Sequence, residues 1–154
     1  MKTRSIAMTA VLCLLALTFS FAEDANIGTW KLNEAKSKIP AGALKNTTVT
    51  YSVEGDSVKC TTDGLGSDGQ PMQTEWTGKF DGKDYPLTGD RSSDARAYTK
   101  VNDHTLKLEN KKDGKVTNKG TIVISADGKT RTLTVSGKTA AGKTIKSSAV
   151  YDKQ

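Results

Sequence analysis

His104 is the sole histidine of the 154-residue chain, and it stands between Asp103 and Thr105 at an expected turn. Proton transfer needs a positioned partner, and the sequence places none beside it, so His104 reads as a solvated turn residue. Two cysteines are present, Cys13 in an N-terminal apolar run and Cys60 in the body of the chain. Once the leader is removed, Cys60 alone can form no internal disulfide and no zinc site. It shares a strand face with Val58 and Thr62, where a small buried filler is expected. Asp63 and Asp68 lie among glycines but lack the ligand series of a calcium loop. No nucleophile–base pattern or glycine-rich phosphate loop occurs. A carboxylate pair for glycoside cleavage would be assembled from separate strands and leaves no signature in sequence. No catalytic residue, metal site or cofactor is therefore expected, and an enzyme ranks behind a small-molecule carrier and a surface-binding module.

Whatever chemistry exists must be assembled by the elements, and the first of these is a leader. Lys2 and Arg4 precede an apolar run from Ile6 to Phe19, and Ser20-Phe21-Ala22 offers small residues at a cut before Glu23. The run is shorter than the roughly 20 residues that span a bilayer, and no later segment qualifies. Cys13 lies inside the run rather than at its end, against lipidation. The expectation is a signal peptide over 1–22, one domain over 23–154, no transmembrane segment after processing, and a periplasmic or secreted monomer.

Charge is uneven across that domain. Residues 23–101 carry ten Lys and Arg against twelve Asp and Glu, whereas residues 102–154 carry eleven against five. The basic second half offers a surface for an anionic polymer or a protein. Its lysines alternate with apolar residues as strand geometry demands, which favours solvent faces that discourage edge aggregation. No specific nucleic-acid binding is expected.

Gly28-Thr29-Trp30-Lys31-Leu32 opens the domain as a strand with Trp30 and Leu32 on one face, and Gly28 permits close approach. Residues 33–45 read as a loop with at most one helical turn. Val49, Tyr51 and Val53 then face one way, Glu54-Gly55-Asp56 turns the chain, and Val58, Cys60 and Thr62 line the return. Residues 63–70 read as a longer connection. Met72, Thr74, Trp76, Gly78 and Phe80 share the clearest half-buried face. Asp81-Gly82-Lys83 is a hairpin signal, and Pro86, which cannot donate to a ladder, predicts an edge or bulge for the short strand around it. Residues 95–101 stay ambiguous, with Ala95, Ala97, Thr99 and Val101 or else Arg96, Tyr98 and Lys100 facing in. Gly114, Gly128 and Gly142 fall fourteen residues apart, and Gly55, Gly69 and Gly82 nearly so. This is the rhythm of successive hairpins. Closing such a meander into a barrel removes its edges, so the expected fold is all-β, an antiparallel up-and-down barrel of about 8–10 strands. A two-sheet sandwich is the alternative.

With Gly28-Thr29-Trp30, the stretch Phe80-Asp81-Gly82-Lys83-Asp84-Tyr85-Pro86 and the ending Ala149-Val150-Tyr151-Asp152-Lys153, the chain resembles the calycin superfamily of lipocalins and fatty-acid-binding proteins. It is most similar to small exported bacterial lipocalin-like β-barrel proteins. The resemblance implies a barrel plugged at one end by Trp30, with a basic late-strand side chain across that ring. Arg131 is the candidate by position, an exposed strand arginine being the other reading. Fatty-acid-binding proteins hold a carboxylate with an arginine two residues before a last-strand tyrosine. Ala149 stands there, before Tyr151, and the helical lid has no room in residues 33–45.

The expected function is thus the binding of a small, uncharged or weakly polar apolar molecule inside the barrel; Arg96, Arg131 or Lys146 would answer a carboxylate if one of them points inward, and alternation turns Lys146 to solvent. Tyr51, Val58, Met72, Trp76, Leu133 and Tyr151 are its candidate interior contacts, and Gly28, Trp30 and Arg131 the closure. The alternative is a surface-binding module working through the basic C-terminal hairpins.

Overall fold

A computed structural model describes residues 24–138, 142 and 144–154; the expected signal segment, 1–22, lies outside them. Ten antiparallel strands follow in order: β1 (Gly28–Leu32), β2 (Lys45–Glu54), β3 (Ser57–Leu65), β4 (Pro71–Gly78), β5 (Tyr85–Thr88), β6 (Ala95–Asn102), β7 (Thr105–Lys112), β8 (Lys115–Ile124), β9 (Thr130–Lys138) and β10 (Thr144–Lys153). Each pairs with its neighbours in sequence, and β1 also pairs with β10, closing the barrel. The up-and-down barrel is therefore the fold, at the upper end of the expected strand number, and the sandwich is excluded.

The five residues of β1 are the seam. Trp30 stands opposite Val49 of β2 and Lys153 of β10, so one short strand joins the first long hairpin to the last. Alternation buries Trp30 and leaves Lys31 exposed. The indole is fully buried, and its Nε1 donates to the carbonyl of Asn26 at 2.8 Å. Residues 24–27 thus fold under the barrel, held by Asp24, which accepts from Asn26 and from Lys100. Gly28 is required less for close approach than for its backbone: its φ is 124°, and the nearest obstacle to a side chain is the flexible Lys153.

The turn glycines behave as their spacing predicts, with Gly55, Gly69, Gly82, Gly114, Gly128 and Gly142 all at positive φ. Four local readings change. Val53 is 67% exposed, because β2 runs past the barrel rim before it turns. β3 continues through Asp63 and Gly64 to Leu65, so the connection to β4 is only a short turn. Asp81-Gly82-Lys83 sits in a wide loop rather than a two-residue hairpin, since β4 and β5 pair only at Glu75↔Thr88 and Trp76↔Leu87. Pro86 lies in the least-paired strand of a closed barrel, not at an edge: β5 meets β6 only at Tyr85↔Arg96 and Pro86↔Ala95. Residues 33–45 hold one 3-10 turn, Glu34–Lys36, capped by the Asn33 side chain. Lys38 then bridges to Ser148 of β10, which draws Ile39 to Leu44 across one barrel end.

Candidate functional site

The two ends of the barrel differ. At the Trp30 end, apolar side chains fill the interior: Trp30, Leu106, Ile122 and Ile124 are buried together. Beside them Trp76 stacks on Phe80 (centroids 6.2 Å, 10°) and meets Tyr98 edge-on at 4.8 Å. Lys153 Nζ lies 5.3 Å from the Trp30 ring centre. The cation across the plug is therefore Lys153 and not Arg131, a consequence of the register that sets Lys153 opposite Trp30.

At the other end lies a cavity of about 470 Å³. Its walls carry Val49, Met72, Leu108, Leu133 and Val135, and its mouth is bordered by Ile39, Ala43 and Leu44 from the loop before β2. Of the six candidate contacts, Tyr51, Met72, Leu133 and Tyr151 line this cavity. Val58 and Trp76 do not. Val58 packs against the core, and Trp76 is enclosed by Phe80, Tyr85 and Tyr98, with Nε1 donating to the carbonyl of Arg96 at 3.0 Å.

The deepest part of the cavity is cationic. β6 turns Arg96 and Tyr98 inward, resolving the ambiguous strand, because Arg96 and Tyr98 stand opposite Asn110 and Leu108 on the inner face of β7. Arg96 is 8% exposed; its Nε donates to Asn110 Oδ1 at 2.7 Å and its Nη1 to the Tyr98 hydroxyl at 3.3 Å. β9 turns Arg131 inward, 2% exposed, its guanidinium 5.2 Å from the ring centres of both Tyr51 and Tyr151. Arg131 Nη2 donates to the Tyr51 hydroxyl at 2.9 Å, and the Tyr51 and Tyr98 hydroxyls are 3.0 Å apart. Nε and Nη1 of Arg131 are buried without a hydrogen-bond partner among the described residues.

Counting protons gives the character of this network. Each tyrosine oxygen accepts from one guanidinium, and a single hydroxyl proton serves the bond between them. The second hydroxyl proton is left over, together with unused guanidinium N–H groups. Neither arginine has a carboxylate within ion-pair distance among the described residues. The floor therefore holds two positive charges and an excess of donors. Burial pushes the phenol of Tyr51 well above its ordinary value, and those of Tyr98 and Tyr151 upward too, so no phenolate balances the charge near neutral pH.

A pH dependence follows. With folded values above the unfolded 10, these tyrosines favour folding fully below pH 10, and that stability is lost as pH rises toward the folded values. Spectrophotometric titration is expected to show most tyrosine ionising together with alkaline unfolding; ionisation of Tyr51, Tyr98 and Tyr151 near pH 10 in the folded protein would contradict their burial.

The residues singled out for other chemistry stay apart. His104 is exposed in the β6–β7 turn, its backbone N–H donating to Asn102. Cys60 is buried outside the cavity lining. Asp63 accepts from Gln73, while Asp68 pairs with Arg91. On the outer face, Lys111 pairs with Asp84 and Glu109, and Lys119 with Glu109, which spends part of the basic excess locally. No helix among the described residues is long and apolar enough to cross a membrane.

No family model matches the chain, and no curated protein sequence does. Among solved structures, a redesigned β-barrel, mFAP1, bound to DFHBI is similar. It is 17% identical, with 84% of this chain and 95% of that chain covered and a TM-score of 0.43. What the cavity takes is set by its own side chains. Ala149 does line it where a carboxylate-binding arginine was sought, but Arg96 and Arg131 bring the charge in from β6 and β9 instead. Arg96 and Tyr98, whose face alternation left open, are thus binding candidates, and Asn110 joins them.

Proposed function

We propose that this protein binds a small organic anion with an apolar body, carried head-first in the barrel, with its carboxylate on Arg96, Arg131 and the Tyr51–Tyr98 hydroxyl pair. The observation that carries this reading is the burial of two guanidiniums at the cavity floor with no acidic partner among the described residues. Burying an unpaired charge is costly, and an anionic ligand removes that cost. The side chains around the floor offer donors in excess, which suits a group that only accepts, such as an ionised carboxylate. The apolar walls suit the ligand's body. An uncharged ligand, the expectation drawn from Ala149, would leave both cations unanswered.

The reading includes membership of the calycin superfamily, supported by the plugged end at Trp30 with Lys153 across its ring. It also includes export as a monomer to the periplasm or beyond after cleavage at Ala22, supported by the basic start and apolar run of the first residues. N-terminal sequencing of exported protein beginning at Glu23 would bear out the cleavage, and a retained Met1 would refute it.

Native mass spectrometry of protein purified from its own host without detergent tests the binding reading. A bound species that extracts as an acid, and that is absent from Arg96→Met protein, is expected. A bound neutral lipid, present equally in both proteins, would refute it.

A further inference from the structure

The cavity is charged at both ends, with opposite signs. Its floor carries Arg96 and Arg131, whereas the one carboxylate among its described lining residues, Asp90, stands at the mouth in the loop between β5 and β6. Around that rim other acids are paired: Asp68 with Arg91, Glu34 with Lys45 and Asp94 with Lys112. Asp90 takes part in no ion pair among the described residues. Its Oδ1 accepts from the backbone N–H and the hydroxyl of Ser92 at 2.8 and 2.7 Å, which fixes the carboxylate in a local turn. Its Oδ2 has no partner among the described residues, and the residue lies partly exposed at the cavity lining. Ser67, Ser92 and Asn118 add polar groups to the same lining.

From this polarity we infer that the ligand is bipolar: an anionic head on the arginine floor and, at its far end, an ammonium or other hydrogen-bond donor received by Asp90. The inference rests on the head-first reading above and adds to it the chemistry of the opposite end. An anion with a plain apolar tail would bring a hydrocarbon end against a fixed carboxylate. A second acid at that end would meet like charge in a partly water-excluded rim. A terminal ammonium, or a hydroxyl to a smaller degree, gives the free oxygen of Asp90 a charge-assisted partner. Asp90 and both arginines line the same cavity, so one molecule held in it meets both ends.

Three probes of equal chain length separate the possibilities: dodecanoate, ω-aminododecanoate and dodecanedioate, each titrated against the full mature protein by calorimetry. The expected order is ω-aminododecanoate tightest, by about tenfold over dodecanoate, and dodecanedioate weakest. In Asp90→Asn, whose side-chain oxygen can still accept from Ser92, the advantage of ω-aminododecanoate over dodecanoate should fall to near one. Dodecanoate binding equally tightly with ω-aminododecanoate, in wild type and in Asp90→Asn alike, would overturn the bipolar ligand and leave the anion reading intact. Binding of none of the three would overturn both. Because the order of the three probes is read on the wild-type protein, the inference remains testable even if the variant loop is disturbed.

Discussion

Replacing Trp30 with alanine is expected to cost about 3–5 kcal/mol of stability, the range for emptying a buried aromatic site. Stabilities of domains this size are typically about 5–15 kcal/mol, so the variant should be severely weakened or unfolded. The expectation has three sources. The ring is fully buried in the core cluster. Its Nε1 ties the segment 24–27 to the closed end through Asn26. Its strand is the seam between β2 and β10, and a closed barrel that loses one seam gains two unpaired edges. Trp30→Phe keeps most of the buried area and should cost less, the remaining loss reflecting the indole hydrogen bond. Denaturant midpoints of the two variants measure the difference. A midpoint unchanged by Trp30→Ala would contradict the organising role of β1.

Arg131→Met is expected to move stability and binding in opposite directions. The buried guanidinium has no acidic partner among the described residues, and two of its nitrogens lack acceptors. Exchanging buried ionic groups for apolar ones of similar size is often neutral or stabilising, by about 1–4 kcal/mol. The ligand-free variant should therefore unfold at the same or higher denaturant concentration than wild type. Its affinity for dodecanoate should fall roughly a hundredfold, since losing one partner of a buried charge pair costs about 2–5 kcal/mol. A simple structural role for Arg131 predicts the reverse, lowered stability with binding retained. Lost stability together with unchanged affinity would overturn the assignment of Arg131 to the ligand.

The barrel was legible because its signals are local and repeat. Turn glycines at a near-constant step and alternating faces in β2, β3 and β4 each report hairpins, and a meander of ten strands has few ways to hide its edges. Arg96 and Arg131 were legible as charges able to answer a carboxylate, but that both point inward was not, for reasons of register. The hairpin of β6 and β7 carries an irregularity between Lys100 and Asn102, so Lys100 rather than Val101 stands opposite Leu106. That one-residue slip sets Tyr98 and Arg96 on the face of Leu108 and Asn110. A plain turn at Asn102-Asp103 would have turned them outward. Arg131 was visible as a late-strand arginine, a candidate to cross the Trp30 ring, but not the two tyrosine rings that hold its guanidinium, since they come from β2 and β10. Val58 and Trp76 were correctly placed on an inward face, yet sequence does not say where along the barrel the packed core ends and the cavity begins. That boundary is set by Phe80, Tyr85 and Tyr98 closing around Trp76.

Calorimetric titration of the wild-type protein with dodecanoate and with dodecanol at neutral pH separates a cationic site from a neutral one, because the two share a chain and differ at the head. An arginine floor awaiting an anion predicts saturable one-to-one binding of dodecanoate, with dodecanol at least about a hundredfold weaker. Dodecanol binding as tightly as dodecanoate, or saturable binding of dodecanol alone, would contradict it and return the cavity to a neutral apolar ligand.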